Sequence, residues 1–173
     1  GTGGALRVTF LTRRPYTCES VEHSYMSRQI QNEEEVLALL RAEPGVNVTR
    51  RDFACRPPRE QLAAVAATDV LVAMHGAALT HALFLPEGAA VVEIAPVPGA
   101  WRLFEHLAHM RGLGYFVHVN TGPATIDETG ELYTLKAKQV ASIVACAIAA
   151  ARAGREGAGS VINPECFWAT RGS

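Results

Sequence analysis

The stretch from Asp69 to Pro98 constrains what this chain can fold into more than any other part of it. An apolar run, Val70 to Met74, stops at His75-Gly76, and a second apolar run, Ala89 to Ile94, follows after a helical pattern and a turn. Neither run alternates with polar residues, which is typical of parallel strands covered on both faces. A strand, a helix and a parallel strand need about 30 residues. The stretch therefore predicts a βαβ unit, with His75-Gly76 at the carboxyl end of its first strand.

The rest of the chain continues the alternation of strands and helices. Further strands are predicted at Ala5–Leu11, Val46–Arg51 and Tyr115–Val119, and helices at Glu33–Ala42, Arg59–Thr68, Trp101–Arg111 and Leu135–Arg152. We expect Asn32 and Thr134 to cap the first and last of these helices, and Tyr16–Tyr25 and Thr121–Leu132 to be loops. The pattern predicts a doubly wound α/β domain, a Rossmann-like parallel sheet with helices on both faces.

Length and composition exclude several classes of protein. A chain of 173 residues, 49% of them hydrophobic, can bury a sizeable core. We expect one main domain at residues 1–153 and a tail at residues 154–173 that packs back or stays flexible. The net charge of −1 argues against a nucleic-acid binder, which would need a basic face. No run approaches the roughly 18 apolar residues of a transmembrane helix.

The first residue, the cysteines and one asparagine bear on the cellular compartment. Because the chain starts at Gly1 rather than methionine, we expect a fragment of a longer protein. The four cysteines lack the paired spacing of metal ligands, so one or two disulfides and four free thiols both stay open. Asn47-Val48-Thr49 fits the N-glycosylation acceptor pattern, which favours the secretory route, although such triplets also occur by chance. The cysteines are Cys18, Cys55, Cys146 and Cys166.

Two strand ends carry residues that suit an anionic ligand. Ligands in open α/β sheets bind at the carboxyl ends of the strands. His75-Gly76 precedes a predicted helix whose unpaired N–H groups suit a phosphate, and Gly76 would let the backbone approach it. Arg13 and Arg14 end the first strand, where a guanidinium can fork onto a phosphate. The alternatives are a tight turn at Gly76 with a local cap from His75, and two ordinary surface arginines.

Other titratable residues and absent motifs limit the chemistry. Glu93 lies inside an apolar run, so it needs a positive side chain or a ligand hydroxyl such as a ribose, unless it stands at an edge or strand end in solvent. His106 and His109 could share a metal, but no third ligand is identifiable, and surface histidines are the preferred interpretation. Nucleophile-elbow, P-loop, G-x-G-x-x-G and Asp-x-Asp sequences are absent. Helix N–H groups and arginines, rather than a metal, would then neutralise a bound diphosphate.

Together these segments resemble the family 61 glycosyltransferases. That family includes plant xylan arabinosyl- and xylosyltransferases and the animal O-linked N-acetylglucosaminyltransferases. The resemblance extends from about Leu6 to Asn120, and the His-Gly-Ala segment with its Leu-Phe-Leu-Pro continuation is the most specific part. The matching pieces are Leu11–Arg14, Ser27–Val36, Asp69–Ile94, and an aromatic-led helix, Trp101–Arg111, before Gly112–Tyr115.

What the resemblance implies is a GT-B enzyme, in which two Rossmann-like domains face a cleft. This chain would be the C-terminal, nucleotide-sugar-binding half, and an N-terminal domain of the same protein would complete the cleft. Carried over by position, Arg13 and Arg28 would contact the diphosphate of the donor. Asn32 would help to build that pocket.

The resemblance also implies roles for the turn after the βαβ strand. His75, Gly76 and Ala77 would face the phosphate, and Glu93 would lie near the nucleoside. His75 is the only candidate within this chain for the base that deprotonates the acceptor. A phosphate-binding role for His75 is equally open, with the base then supplied by the N-terminal half.

The chain departs from the family pattern at three places. The family usually has glycine at the position of Ala78 and asparagine at that of His81. A longer connection, Pro15–Ser24, separates the arginine pair from Arg28. These departures put the donor preference, rather than the nucleotide site, in doubt.

The predicted function is sugar transfer from a nucleotide-activated donor, a UDP-sugar, to a hydroxyl of a protein or polysaccharide. The resemblance implies an inverting reaction in the Golgi or endoplasmic reticulum lumen, and no cofactor besides the nucleotide-sugar co-substrate is expected. Two hypotheses of other classes stay open: a nucleotide-sugar-binding domain without catalysis, and a purely structural Rossmann-like domain. Half of a two-domain cleft should bind donor weakly and turn over little by itself.

Overall fold

The computed structural model of the chain describes residues 4–19, 21–97 and 102–156. Its elements follow one another as strands, α-helices and one 3₁₀ helix. In chain order they are β1 (Leu6–Leu11), β2 (Tyr16–Cys18), β3 (Val21–His23), β4 (Met26–Ile30), α1 (Glu33–Arg41), β5 (Val46–Arg51), α2 (Pro58–Ala66), β6 (Val70–Met74), the 3₁₀ helix (Ala77–Phe84), β7 (Ala90–Ala95), α3 (Leu103–Met110), β8 (Gly114–Val119), β9 (Ala124–Asp127), β10 (Gly130–Tyr133) and α4 (Ala137–Arg155).

Five of these strands form a parallel sheet in the order β5-β1-β6-β7-β8. The chain steps from β1 outward to β5 and then crosses back to β6 on the other side of β1. The direction of winding therefore reverses between β1 and β6, which makes this gap the topological switch point where such sheets bind ligands. The predicted Rossmann-like α/β fold is confirmed.

Helices cover both faces of this sheet, as the unbroken apolar runs require. One face packs against α1 and α4 in a cluster that includes Phe10, Val72 and Val144. The other packs against α2, the 3₁₀ helix and α3 through residues such as Leu71 and Leu79. Every residue of β6 and β7 is buried, so neither strand has a solvent-facing side that would require polar alternation.

Three segments form strands that the sequence pattern did not predict. The expected loop at Tyr16–Tyr25 contains the antiparallel pair β2 and β3. The expected loop at Thr121–Leu132 contains β9, which pairs with β10, and β10 also pairs in parallel with β4 from the segment before Asn32. All four residues of β9 are exposed, and a four-residue strand is too short for its alternation of apolar and polar residues to be distinguished from a loop. Backbone pairing, rather than local periodicity, makes these strands, and the pairing of β4 with β10 joins distant segments.

The ends and types of some helices also differ from the prediction. Ala77–Phe84 is helical as expected but has 3₁₀ geometry. Asn32 occupies the N-cap position of α1 but makes no side-chain capping bond. Thr134 does not cap α4, because the N-cap residue of that helix is Lys136. The hydroxyl of Thr134 instead donates to Oε1 of Gln31 at 2.9 Å.

The last helix, α4, continues to Arg155, slightly beyond its predicted end. The rest of the expected tail, with Cys166, lies outside the described residues, as does Trp101 ahead of α3. Within the described ranges, none of the helices combines the length and hydrophobicity needed to cross a bilayer.

Candidate functional site

The side chain of Arg13 lies directly against Gly76 at the switch point. A Cβ atom built on Gly76 would fall 2.4 Å from Nη1 of Arg13 and 3.4 Å from its Cζ, so only glycine leaves the guanidinium in this place. Nε of Arg13 donates to the carbonyl oxygen of Ser27 at 3.2 Å, and its Nη2 lies 3.4 Å from Sδ of Met26. The fold thus joins the end of β1, the turn after β6 and strand β4 in one crevice.

A β-bulge in β4 includes Arg28, whose charge acts on Arg13. Two residues of β4, Ser27 and Arg28, lie opposite the single residue Glu131 of β10. Arg28 has a φ of +60°, a left-handed conformation that costs a non-glycine residue about 1–3 kcal/mol and is concentrated at functional sites. Bulges next to active sites commonly redirect a side chain. The left-handed backbone of Arg28 in this bulge thus directly follows Ser27, whose carbonyl binds Arg13.

The two arginines form a positively charged site. Burial lowers the pKa of Arg13, and the nearby charge of Arg28 lowers it further. Neither arginine forms an ion pair with a carboxylate in the described part of the chain. Like charges held together without a carboxylate suit an anionic ligand, which would relieve their repulsion.

Glu93 is buried in β7 and binds two side chains. Its exposed fraction is 1%. Its Oε1 forms a hydrogen bond with Nδ1 of His75, and its Oε2 accepts one from the Tyr115 hydroxyl at 2.5 Å. The alternative of a strand-end carboxylate in solvent is wrong. The partners that a buried carboxylate needs are a histidine and a tyrosine of the chain itself.

This hydrogen bond decides which nitrogen of His75 faces the crevice. With Nδ1 bound to Glu93, Nε2 has no hydrogen-bond partner among the described residues and is not buried. The ring of Phe104 meets the imidazole edge-on at 5.2 Å. Burial and the neighbouring Glu93 raise the pKa of Tyr115 far above its usual range, so the hydroxyl remains a donor. The imidazole is thus held with one nitrogen available to a ligand.

Asn32 and Arg14, in contrast, are bound within the protein. Oδ1 of Asn32 accepts from the backbone N–H of Leu135 at 2.9 Å, and its Nδ2 donates to the carbonyl of the same residue at 2.9 Å. Arg14 lies 3.3 Å from a carboxylate oxygen of the buried Glu33. Asn32 therefore ties the start of α1 to the segment before α4, and Arg14 already has a counter-ion.

The residues after Gly76 line the same turn. Ala77 is exposed at the first position of the 3₁₀ helix. His81, one of the departures from the family pattern, forms a hydrogen bond from Nδ1 to the carbonyl of Ala78 at 2.9 Å. Its ring contacts Phe53 at a centroid distance of 4.9 Å, so the 3₁₀ helix is joined to the loop after β5.

The remaining candidates are the two histidines of α3 and the cysteines. His106 and His109 are exposed on α3, as the preferred interpretation predicted. In residues 4–19, 21–97 and 102–156, no three His, Cys, Asp or Glu side chains are grouped to hold a metal ion. A disulfide joins Cys18 to Cys55, with Cα atoms 5.4 Å apart, and no described cysteine is free. The hypothesis of four free thiols is wrong.

Comparison with known protein families decides the affiliation. The family model described as Glycosyltransferase 61 matches residues 5–92, just over half of the chain. That range includes Arg13, Arg28, Gly76 and most of the parallel sheet. The chain belongs to glycosyltransferase family 61.

Several relatives of this family 61 domain share one name, EGF domain-specific O-linked N-acetylglucosamine transferase. The protein of Drosophila melanogaster is 37% identical over 110 residues, which are 64% of this chain and 19% of the relative. That of Bos taurus is 36% identical over 115 residues, 65% of this chain and 20% of the relative. That of Xenopus laevis is 36% identical over 116 residues, which are 66% of this chain and 20% of the relative. The chain thus spans about a fifth of the length of these relatives.

Sequence reasoning missed three contributors to the site of this family 61 domain. Tyr115 looked like an ordinary strand residue, although a hydroxyl in a buried strand next to Glu93 is a signal that could have identified it. The Ser27 carbonyl that anchors Arg13 carries no sequence signal, because any residue has one. Phe104 is one of several apolar residues on α3, and only the packing of α3 brings its ring to His75.

Proposed function

We propose that this domain binds a UDP-sugar and forms the donor site of an enzyme that transfers the sugar to a hydroxyl of a protein or polysaccharide. The observation that carries the proposal is the placement of the Arg13 guanidinium against Gly76 at the switch point, with Arg28 beside it. A diphosphate supplies the dense negative charge that two arginines without carboxylate partners can bind.

The same groups would serve the chemistry as well as binding. When the bond between the anomeric carbon and the diphosphate breaks, negative charge accumulates on the departing phosphate oxygens. Positive groups already in place stabilise that charge without reorganisation, which is usually the largest single contribution to catalysis. Arg13 and Arg28 supply this charge from the chain itself, which supports a reaction that needs no metal. Asn32 would contribute indirectly, by holding the start of α1 beside the crevice.

His75 is the proposed catalytic base. Its Nε2 would take the proton of the acceptor hydroxyl while that oxygen attacks the anomeric carbon, the bond to the diphosphate breaks and the configuration inverts. Glu93 would hold the required tautomer and stabilise the imidazolium that forms, as the carboxylate of a serine-protease triad does. The alternative is a direct contact of His75 with the phosphate. The two roles predict different kinetic and binding effects when the His75 side chain is removed.

The remaining parts of the proposal concern the whole protein. A second Rossmann-like domain would complete a GT-B cleft and supply acceptor contacts. The names of the relatives make UDP-N-acetylglucosamine the first donor to test and a protein hydroxyl the first acceptor. A secretory compartment is supported by the disulfide Cys18–Cys55, since cytosolic proteins seldom keep one. Exposure of Asn47 on the edge strand β5 leaves the N-glycosylation triplet accessible.

Calorimetric titration with UDP tests the donor site. We expect Arg13→Ala and Arg28→Ala each to weaken binding by roughly 10- to 150-fold, because a hydrogen bond between charged groups contributes about 1.5–3 kcal/mol. Arg41→Ala is the matched control. Helix α1 begins beside the site and ends at Arg41, which therefore lies towards the other end of the strands. Binding that is unaffected by Arg13→Ala would contradict the proposed site. No detectable binding to the intact protein would leave only the structural hypothesis.

Activity measurements on the full-length protein separate an enzyme from a binder and test the role of His75. If His75 is the base, His75→Ala lowers kcat and leaves the Kd for UDP within about twofold; if it binds phosphate, the Kd for UDP rises instead. Neither transfer nor hydrolysis of any UDP-sugar would contradict the enzyme proposal. Complete loss of activity on addition of EDTA would contradict metal independence.

A further inference from the structure

A pocket opens at the carboxyl end of β5, beside the switch point. Its volume is about 190 Å³. It lies between the loop after β5 and the first turns of α2. The lining residues that matter here are Arg51, Asp52, Phe53, Arg56, Glu60 and Gln61.

The pocket adjoins the arginine crevice through strand pairing. Leu11 at the end of β1 pairs with Arg51 at the end of β5, and the next backbone N–H, that of Thr12, donates to the Arg51 carbonyl at 2.9 Å. Neighbouring strands are about 4.8 Å apart. Arg13 and Asp52 therefore follow adjacent strand ends at the same edge of the sheet.

The aromatic wall of the pocket is also connected to the turn at Gly76. Phe53 is half-buried and contacts the ring of His81 at 4.9 Å. A 3₁₀ helix rises about 2 Å per residue, so His81 lies roughly 8 Å along the helix from its first residue, Ala77. A sugar ring and a phosphate group bridge a gap of this size. Phe53 thus packs against the 3₁₀ helix that begins directly after Gly76.

Asp52 supplies a hydrogen-bond acceptor at the same place. Its Oδ1 accepts the backbone N–H of Ala54 at 2.9 Å, which holds the carboxylate. Its Oδ2 has no hydrogen-bond partner in the described part of the chain. A fixed carboxylate with one available oxygen suits the hydroxyl of a ribose.

The loop that carries these groups is rigidly held. Nε2 of Gln61 donates to the carbonyl of Phe53 at 3.2 Å and to that of Arg56 at 2.7 Å. The disulfide Cys18–Cys55 ties the loop to the β2–β3 hairpin. A wall fixed before binding loses little conformational freedom when a ligand arrives.

We infer that this pocket is the nucleoside subsite of the donor, with the base against Phe53 and a ribose hydroxyl on Asp52. The inference rests on the proposed function and adds the location of the nucleoside. It is an alternative to the expectation that Glu93 lies near the nucleoside, since Glu93 is 1% exposed and bonds to His75 and Tyr115. An acid that follows the strand next to β1 takes the ribose-binding position familiar from dinucleotide folds.

Titrations with UDP, 2′-deoxy-UDP and pyrophosphate test the subsite. Since stacking of a base on an aromatic ring contributes about 1–3 kcal/mol, Phe53→Leu should weaken UDP about fivefold or more and leave pyrophosphate unchanged. Asp52→Asn keeps the oxygen that binds Ala54 but loses the charge, and it should weaken UDP about tenfold and 2′-deoxy-UDP much less. Phe84→Leu and Asp127→Asn are the controls: Phe84 is exposed at the end of the 3₁₀ helix, and Asp127 accepts the N–H two residues on in the same way as Asp52.

The outcomes separate this inference from the proposed function. The subsite is supported if UDP binds more tightly than pyrophosphate and the two variants act selectively. Equal affinities for UDP and pyrophosphate, or variants that weaken both alike, would overturn the subsite and leave the diphosphate site intact. Failure of both ligands to bind would overturn the donor site and the subsite with it.

Discussion

Gly76→Ala tests whether the contact between Arg13 and Gly76 organises the proposed donor site. The added methyl group would stand 2.4 Å from Nη1 of Arg13, whereas its next neighbours, Cζ of Arg13 and the carbonyl of Met74, lie at 3.4 and 3.9 Å. Ordinary contacts between nonbonded heavy atoms are about 3.5–4.0 Å, so the guanidinium must move by roughly 1 Å or more. The clash is with the end of a flexible side chain, and we therefore expect the fold to survive.

The cost should appear in donor binding. Displacing the guanidinium removes a charge-assisted hydrogen bond to the diphosphate, about 1.5–3 kcal/mol or roughly 10- to 150-fold in the Kd for UDP. Titration calorimetry measures the Kd, and urea unfolding of the same variant checks that the folded state is retained. Gly4→Ala is the control, because a Cβ atom there meets nothing within 4 Å.

A double-mutant cycle identifies the route of the effect. If Gly76→Ala acts through Arg13, it should cost little when Arg13→Ala is already present, and the two losses will not add. Additive losses, or an affinity within about twofold of the unmodified protein, would refute the reasoning that Gly76 exists to admit the guanidinium.

Three further predictions concern catalysis and stability. Glu93→Gln removes the charge that stabilises the imidazolium, so we expect kcat of the full-length protein to fall about 100-fold or more with little change in the Kd for UDP; an unchanged kcat would contradict the assignment. Replacing both cysteines of Cys18–Cys55, whose separation is 37 residues, by serine should lower the free energy of unfolding by about 4 kcal/mol in the chain-entropy account, as urea denaturation would show. Burial opposes ionisation of Asp69, but hydrogen bonds from Arg7 and Arg155 outweigh it and lower its pKa to about 2. The resulting stabilisation, about 2 kcal/mol, is present above the unfolded-state pKa near 4 and is lost as the pH falls towards 2, so urea unfolding between pH 5 and 2 should show a loss that Asp69→Asn lacks.

Much of the fold and part of the site could be predicted from local patterns. The runs Val70–Met74 and Ala89–Ile94 are apolar without interruption because both faces of the sheet are covered, and this periodicity is visible in the sequence itself. Strand ends could likewise be identified from Arg13 and His75-Gly76. The parallel order of the strands then indicated one edge of the sheet as the place for a ligand.

The weakly patterned strands could not be predicted in this way. Strands β2 and β3 have only three residues each, and all four residues of β9 are exposed, so none of them carries a buried apolar stretch that local patterns could detect. Their hydrogen-bonding partners make them strands. The β4–β10 pairing that creates the bulge at Arg28 joins distant segments. No residue pattern near Ser27–Arg28 predicts this pairing.

The sequence by itself determined the class of fold, the buried strands and the position of the turn at His75-Gly76, because those depend on hydrophobic periodicity and on residues adjacent in the chain. Only the tertiary structure decided that Gly76 admits Arg13, that Tyr115 and His75 share Glu93, and that Asp52 and Phe53 line one pocket. These are contacts between neighbouring strand ends, and their partners are chosen by strand order and register. The physical reason is that a site at the edge of a sheet is built from residues of several neighbouring strands. Sequence patterns describe residues that follow one another along a single strand or helix.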